Sequence, residues 1–272
     1  PSPATSPIRS SRWLCRTTLP PVILLHAFPV DARLWEDVAH QLREQGLDPI
    51  VPDLRGFGTN RAELPSRPDL DVLADDVAEL IADTGAGSAV VAGVSMGGYV
   101  AMNLARRYPE RVAGLVFVDT KAGADPAPGA QGRLDFADRV ETEGSAWVAD
   151  AMMPKLISDS TVTGHPDVEA RVRQQIADCP PATIAWIQRA MAARPDSFDV
   201  LDEFAGPILV IVGSEDVLSP PSDAVAMAEA ARQATLIEIP DAGHLTPLEN
   251  PVVVTLAMSE WLTDEFGGET QS

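Results

Sequence analysis

Short apolar runs alternate with amphipathic stretches from residue 20 onward, and this alternation narrows the choice of fold more than any other property of the chain. Val22-Ile23-Leu24-Leu25 reads as a buried strand, and Leu34, Val38 and Leu42 then share one face of a helix that stops at Gly46. Pro49-Ile50-Val51-Pro52 is the next expected strand, and Val72, Leu73, Val77, Leu80 and Ile81 mark a second amphipathic helix. Residues 88–92 read as a strand, 98–107 as the helix after it, and 112–118 as a further strand. Strands with no polar alternation need cover on both faces. The pattern therefore predicts an α/β fold with a mostly parallel, doubly wound sheet.

The alternation breaks at Thr120. Residues 122–203 show helical periodicity and no convincing strand: Val168, Val172, Ile176 and Cys179 share one face, as do Ile184, Ile187 and Met191. Prolines at positions 126, 128, 154, 166, 180, 181 and 195 cut this stretch into three or four short helices. Strands return at 207–213 and 235–239, and a helix over 252–262 closes the pattern. The expected organisation is a core built from 20–121 and 204–265, an all-helical cap of 122–203 inserted between two core strands, and an irregular N-terminal stretch of 1–19.

Composition limits the partners. Forty acidic residues stand against 18 arginines and only two lysines, Lys121 and Lys155, for a net charge of −20. Such a surface repels nucleic acid and anionic membranes, which leaves a small molecule as the expected ligand and a homo-oligomer open. No apolar run approaches the ~18 residues a membrane span needs. The Ser/Pro/Arg-rich N-terminus lacks a signal-like apolar stretch, so a cytoplasmic protein is expected. Cys15 and Cys179 read as free thiols, and His26, His40, His165 and His244 form no metal-binding pattern, so neither metal nor cofactor is expected.

Chemistry concentrates at Gly93-Val94-Ser95-Met96-Gly97, where a strand hands over to a helix. A serine between glycines at that junction is a nucleophile elbow: the turn strains the serine, lifts its hydroxyl beyond the sheet and leaves the Met96 N–H beside it for an oxyanion. A serine hydroxyl needs a histidine base, and the histidine needs a carboxylate to orient it. Both are expected at carboxyl ends of strands. Asp216 follows Ile208-Leu209-Val210-Ile211-Val212, and His244 follows Leu236-Ile237-Glu238-Ile239, in the chain order Ser…Asp…His. Asp119, which also ends a strand, and the adjacent Glu215 remain rival acids. His26 is the rival base, but it sits on another strand and is expected to brace the loop before residue 28. Asp53 and Arg55 are expected to tie down their own loop, and His40 and His165 to lie on the surface.

With these residues in place the chain resembles the α/β-hydrolases that carry a helical cap, in their carboxylesterase and haloperoxidase-like branch, over residues 20–265. The likeness rests on His26-Ala27-Phe28-Pro29, Asp53-Leu54-Arg55-Gly56-Phe57-Gly58, the elbow, Gly213-Ser214-Glu215-Asp216 and Gly243-His244. It implies Ser95 as nucleophile, His244 as base, Asp216 as orienting acid, and backbone N–H groups of Phe28 and Met96 as oxyanion donors. Two departures stand out: Ala27 replaces a usual glycine, and residues 1–18 read poorly as the usual N-terminal β-hairpin, with Arg12-Trp13-Leu14-Cys15 as its remnant.

The expected activity is hydrolysis of carboxylic esters or lactones of small to medium acyl groups through an acyl-enzyme. Cofactor-free perhydrolysis and carbon–carbon bond hydrolysis on the same residues are the alternatives, and a non-catalytic small-molecule receptor is a more distant one. Epoxide and haloalkane chemistry would need a carboxylate at position 95. Trp147, Met152, Met153, Trp186 and Met191 are the expected pocket residues of the cap.

Overall fold

A computed structural model describes residues 19–267; the expectations for the N-terminal stretch and the Cys15 thiol lie outside the described residues. In chain order the elements are β1 (Val22–Leu25), α1 (Glu36–Glu44), α2 (Asp71–Asp83), β2 (Ala89–Val94), α3 (Met96–Arg107) and β3 (Val112–Val118). Then come α4 (Ala127–Glu143), α5 (Val148–Leu156), α6 (Asp159–Gly164), α7 (Pro166–Asp178), α8 (Pro181–Ala192) and α9 (Phe198–Glu203). The chain continues through β4 (Ile208–Gly213), α10 (Pro221–Ala230), β5 (Ala234–Ile239), α11 (Thr246–Glu249) and α12 (Pro251–Phe266).

The strands form one sheet in the order β1-β2-β3-β4-β5, every pair parallel. Every residue of β1, β2 and β4 is buried, which requires helices over both faces. Helix α1 packs against α12, and α2 against α3. Leu34, Val38 and Leu42 are fully buried, as their shared helical face predicts. Edge strand β5 is largely open to solvent, with only Ile239 buried. Parallel order brings the carboxyl ends of β2, β3, β4 and β5 to one side, and the loops leaving that side carry the candidate site.

The expected strand at 49–52 shrinks to a single bridge, Ile50 with Ile23. Ile50 N donates to Val22 O at 2.8 Å, and its carbonyl accepts from Leu24 N at 2.9 Å. The prolines on either side have no N–H with which to extend the ladder. The stretch between β3 and β4 is all-helical, but it holds six helices where three or four were expected. Among the described residues no helix is long and apolar enough to cross a membrane, and no group of three or more His, Cys, Asp or Glu could hold a metal ion.

Candidate active site

Ser95 is the single residue between β2 and α3, with φ 51° and ψ −110°. That left-handed backbone costs an L-residue of order 1–3 kcal/mol and persists only where its surroundings fix it. Here they do. A Cβ on Gly93 would overlap the backbone of Gly97, and one on Gly97 would lie 2.5 Å from the Leu25 carbonyl oxygen. Ser95 N donates to Val118 O at 2.9 Å, and Thr120 Oγ1 donates to Ser95 O at 2.8 Å, so the end of β3 clamps the turn from its side.

His244 Nε2 lies 2.8 Å from Ser95 Oγ, and His244 Nδ1 lies 2.8 Å from Asp216 Oδ2. Asp216 and His244 are buried. The other Asp216 oxygen, Oδ1, accepts the backbone N–H groups of Leu218 at 2.8 Å and Ser219 at 3.0 Å. A carboxylate fixed in this way accepts Nδ1–H, which leaves the Nε2 lone pair facing the serine hydroxyl. Such an arrangement can take the serine proton during attack on a carbonyl and return it to a leaving group.

The rival groups have other tasks. Asp119 is fully buried and does not meet His244: its carboxylate accepts from Gly213 N at 2.9 Å, Thr246 N at 2.9 Å and Thr246 Oγ1 at 2.8 Å. It thereby joins the end of β3 to the end of β4 and to the turn after His244. Burial first, and the charge of Asp216 second, push its carboxyl well above the usual range. Glu215 puts only its backbone into this corner, with N–H donating to Ala242 O at 2.9 Å.

His26 braces the loop before Phe28. Its Nε2 accepts from Leu54 N at 3.0 Å, and its Nδ1 lies 2.9 Å from Ala27 O. Burial holds its pKa below the usual 6.5, consistent with a neutral ring that donates through Nδ1. Asp53 accepts from Ala32 N, Thr59 N and Thr59 Oγ1, and Arg55 pairs with Asp76. His40 and His165 are exposed. Ala27 fits at the departed glycine position, fully buried.

Met96 follows Ser95 in the chain, and Phe28 lines the same cavity as Ser95. Met96 N–H opens α3, and neither it nor Phe28 N–H donates to any acceptor among the described residues. The positive end of the α3 dipole is directed at the same place.

A cavity of about 510 Å³ opens over Ser95 and His244, and Phe28 lines it. Of the five expected pocket residues, Trp147, Met152 and Met191 line this cavity. Met153 and Trp186 do not, and for them the expectation is corrected. Met153 is buried in the core of the helical segment, and the Trp186 indole turns away to donate to Pro65 O at 2.6 Å. Lys121, Asp125, Arg133 and Lys155 also line the cavity, and none was singled out from the sequence as a site residue. Glu249 was missed as well. Its Oε1 accepts from Gly243 N at 2.9 Å and Leu245 N at 3.2 Å, and its Oε2 from Ser158 N and Thr161 Oγ1, both at 2.8 Å. One carboxylate thus ties both neighbours of His244 to the start of α6. No local pattern marks an acid five residues past a histidine for that task.

A family model described as "alpha/beta hydrolase fold" matches residues 20–251. The pimeloyl-[acyl-carrier protein] methyl ester esterase of Aromatoleum aromaticum is 28% identical over 262 residues, covering 85% of this chain and 94% of that protein. A malate-bound thermophilic esterase from Thermogutta terrifontis superposes with a TM-score of 0.87 at 42% identity, over 90% of each chain. The enol-lactonase of Burkholderia xenovorans does so with a TM-score of 0.81 at 25% identity, over 90% of this chain and 92% of the other. With that match over most of its length, and with strand, elbow and loop geometry in accord, the chain belongs to the alpha/beta hydrolase fold family.

Proposed function

We propose that the protein is a serine hydrolase of carboxylic esters and lactones, working through an acyl-enzyme on Ser95. The observation that carries this reading is the unbroken series Ser95–His244–Asp216, each contact 2.8 Å long, beneath a cavity of substrate size. Ser95 Oγ attacks the carbonyl carbon while His244 Nε2 takes its proton. The oxyanion settles on the N–H groups of Phe28 and Met96, and loss of one such donor costs roughly 3–4 kcal/mol in comparable sites. His244 then protonates the leaving alkoxide, which departs as the alcohol, or stays attached when the substrate is a lactone. Water, deprotonated by His244, attacks the acyl-enzyme and releases the acid.

The ester and lactone bonds named for the Aromatoleum, Thermogutta and Burkholderia proteins support the same substrate class here. Helices α4–α9 act as the cap: α4, α5 and α8 supply cavity wall through Arg133, Met152 and Met191. The cavity dimensions suit small to medium acyl groups. A buried free thiol at Cys179, raised to about 12 chiefly by burial, fits a reducing compartment such as the cytoplasm.

The test is a rate panel with the purified protein: acetate to octanoate esters of one alcohol, five- and six-membered lactones, the matching amides, and the same esters with added hydrogen peroxide. Ester or lactone hydrolysis should dominate, with a fall toward long acyl chains. Failure to hydrolyse any ester or lactone would overturn the reading, and peracid yield in excess of acid would replace it with perhydrolysis.

A further inference from the structure

The chain has only two lysines, and both line the cavity that holds Ser95 and His244. In a protein with twice as many acidic as basic residues this is the reverse of the surface pattern. Arg133 of α4 lines the same cavity, so three cations from three separate places meet there: Lys121 after β3, Arg133 on α4 and Lys155 on α5. Asp125 is the one acid among the charged residues of the wall outside the catalytic series.

Asp125 offsets at most one of these charges, and Arg194 shares it. Arg194 Nη1 donates to Asp125 Oδ2 at 2.6 Å and Nη2 to Oδ1 at 2.9 Å, a bidentate pair with side chains 3% and 6% exposed. The guanidinium also stacks over Tyr99, 4.2 Å from the ring centre, so the pair is fixed in the wall. Burial opposes ionisation of Asp125, yet the hydrogen bond from Arg194 and the charges of Arg133 and Arg194 hold its carboxyl well below the usual range. Arg133 adds a bond from Nε to the same carboxylate and one from Nη1 to Gln188 Oε1 at 3.2 Å, which aim it without using its Nη2. Lys121 Nζ stands 3.7 Å from Asp125. Lys155 pairs with no acid among the described residues, although acids are plentiful.

Arg194, Arg133 and Lys121 therefore share one carboxylate, Lys155 has none among the described residues, and Trp147, Phe136, Met152 and Met191 supply apolar wall to the same cavity. Lys155 is exposed at the mouth while Lys121 and Arg133 are part-buried, so the cluster keeps a net positive charge that the apolar walls focus on an entering anion. We propose that the substrate is an ester or lactone carrying a free carboxylate, bound by Lys121, Arg133 and Lys155 while its carbonyl lies at Ser95. This rests on the ester-hydrolase reading of the cavity and narrows it from esters in general to half-esters and carboxylated lactones.

The test compares p-nitrophenyl esters that differ only at the far end of a five-carbon acyl chain: a free carboxylate, its neutral primary amide, and a phosphonate. The wild type should favour the carboxylate over the amide in kcat/KM by ~10-fold or more, as expected for charge pairs in a partly screened site. That preference should shrink as salt rises from about 20 to about 500 mM. Lys155→Gln and Arg133→Gln should each cut the carboxylate-to-amide ratio several-fold, and Lys155→Arg should retain it. Equal rates on carboxylate and amide, a preference insensitive to salt, or a ratio unmoved in folded variants would each overturn the proposal. A larger preference for the phosphonate would overturn the choice of carboxylate. The wild-type ratio and its salt dependence need no variant to fold. If the amide ester is turned over without any preference, only this inference fails; if neither ester is turned over, the hydrolase reading fails with it.

Discussion

Asp119 and Asp216 both stand at carboxyl ends of neighbouring strands, and their partners divide the work between them. Asp216 meets the imidazole, so Asp216→Asn should lower ester turnover by ~10⁴-fold by favouring the wrong tautomer. Asp119 holds Gly213 and Thr246, so Asp119→Asn should show its main effect in thermal stability, with a much smaller loss in kcat. Equal kinetic damage from the two variants would contradict this division. His26 gives a pH signature. Its folded pKa lies below the usual 6.5, so as pH falls through 6.5 the unfolded chain takes a proton that the folded chain refuses. Stability is then lost on the acid side, by at most about 1.4 kcal/mol per pH unit from this one group. His26→Asn should flatten that limb of a Tm-against-pH curve relative to wild type, and an unchanged slope would contradict the assignment. Ser95, Asp216 and His244 are legible in the sequence because each ends a recognisable strand in a short motif. Thr246 and Glu249 are not, since each needs a partner from a segment close only after folding: the end of β3 for Thr246, and the start of α6 for Glu249 beside its local bonds to Gly243 and Leu245.

At the level of elements, strand and helix positions follow from periodicity, with most boundaries shifted by one or two residues. The failure at 49–52 has a local cause, since two prolines remove the donors that a strand needs, while apolar character alone made it look like one. Helical spacing between β3 and β4 was equally clear, but it could not tell which apolar side chains face the cavity and which join helices together. Met152 and Met191 line the cavity, and Trp186 anchors α8 to the loop at Pro65. Met152→Ala and Met191→Ala should therefore move the ranking of esters toward longer acyl groups, by up to about 0.8 kcal/mol per methylene accommodated. Trp186→Phe should keep the ranking and lower Tm by about 2 °C, the effect of one lost hydrogen bond in a chain of this size. A rate panel and thermal melts on the same three variants check both statements, and a changed ranking in Trp186→Phe would contradict them.

Across the whole molecule, a parallel sheet brings residues from distant parts of the sequence to one edge, and residues of α4, α5 and α8 line the cavity there. The overall architecture was legible because buried strands and helices alternate in a way few folds can satisfy. The charge pattern was legible only in part. Composition records two lysines in a chain of net charge −20, but that both line one cavity is a property of the folded chain alone. The account stands or falls on Ser95 as the nucleophile. Intact-mass analysis after treatment with a fluorophosphonate, followed by peptide mapping, measures this. One adduct per wild-type chain is expected, on the peptide containing Ser95, with no adduct on folded Ser95→Ala and ester turnover in that variant lower by at least ~10³-fold. An adduct on another serine, or a Ser95→Ala protein that still hydrolyses esters at the wild-type rate, would contradict the account.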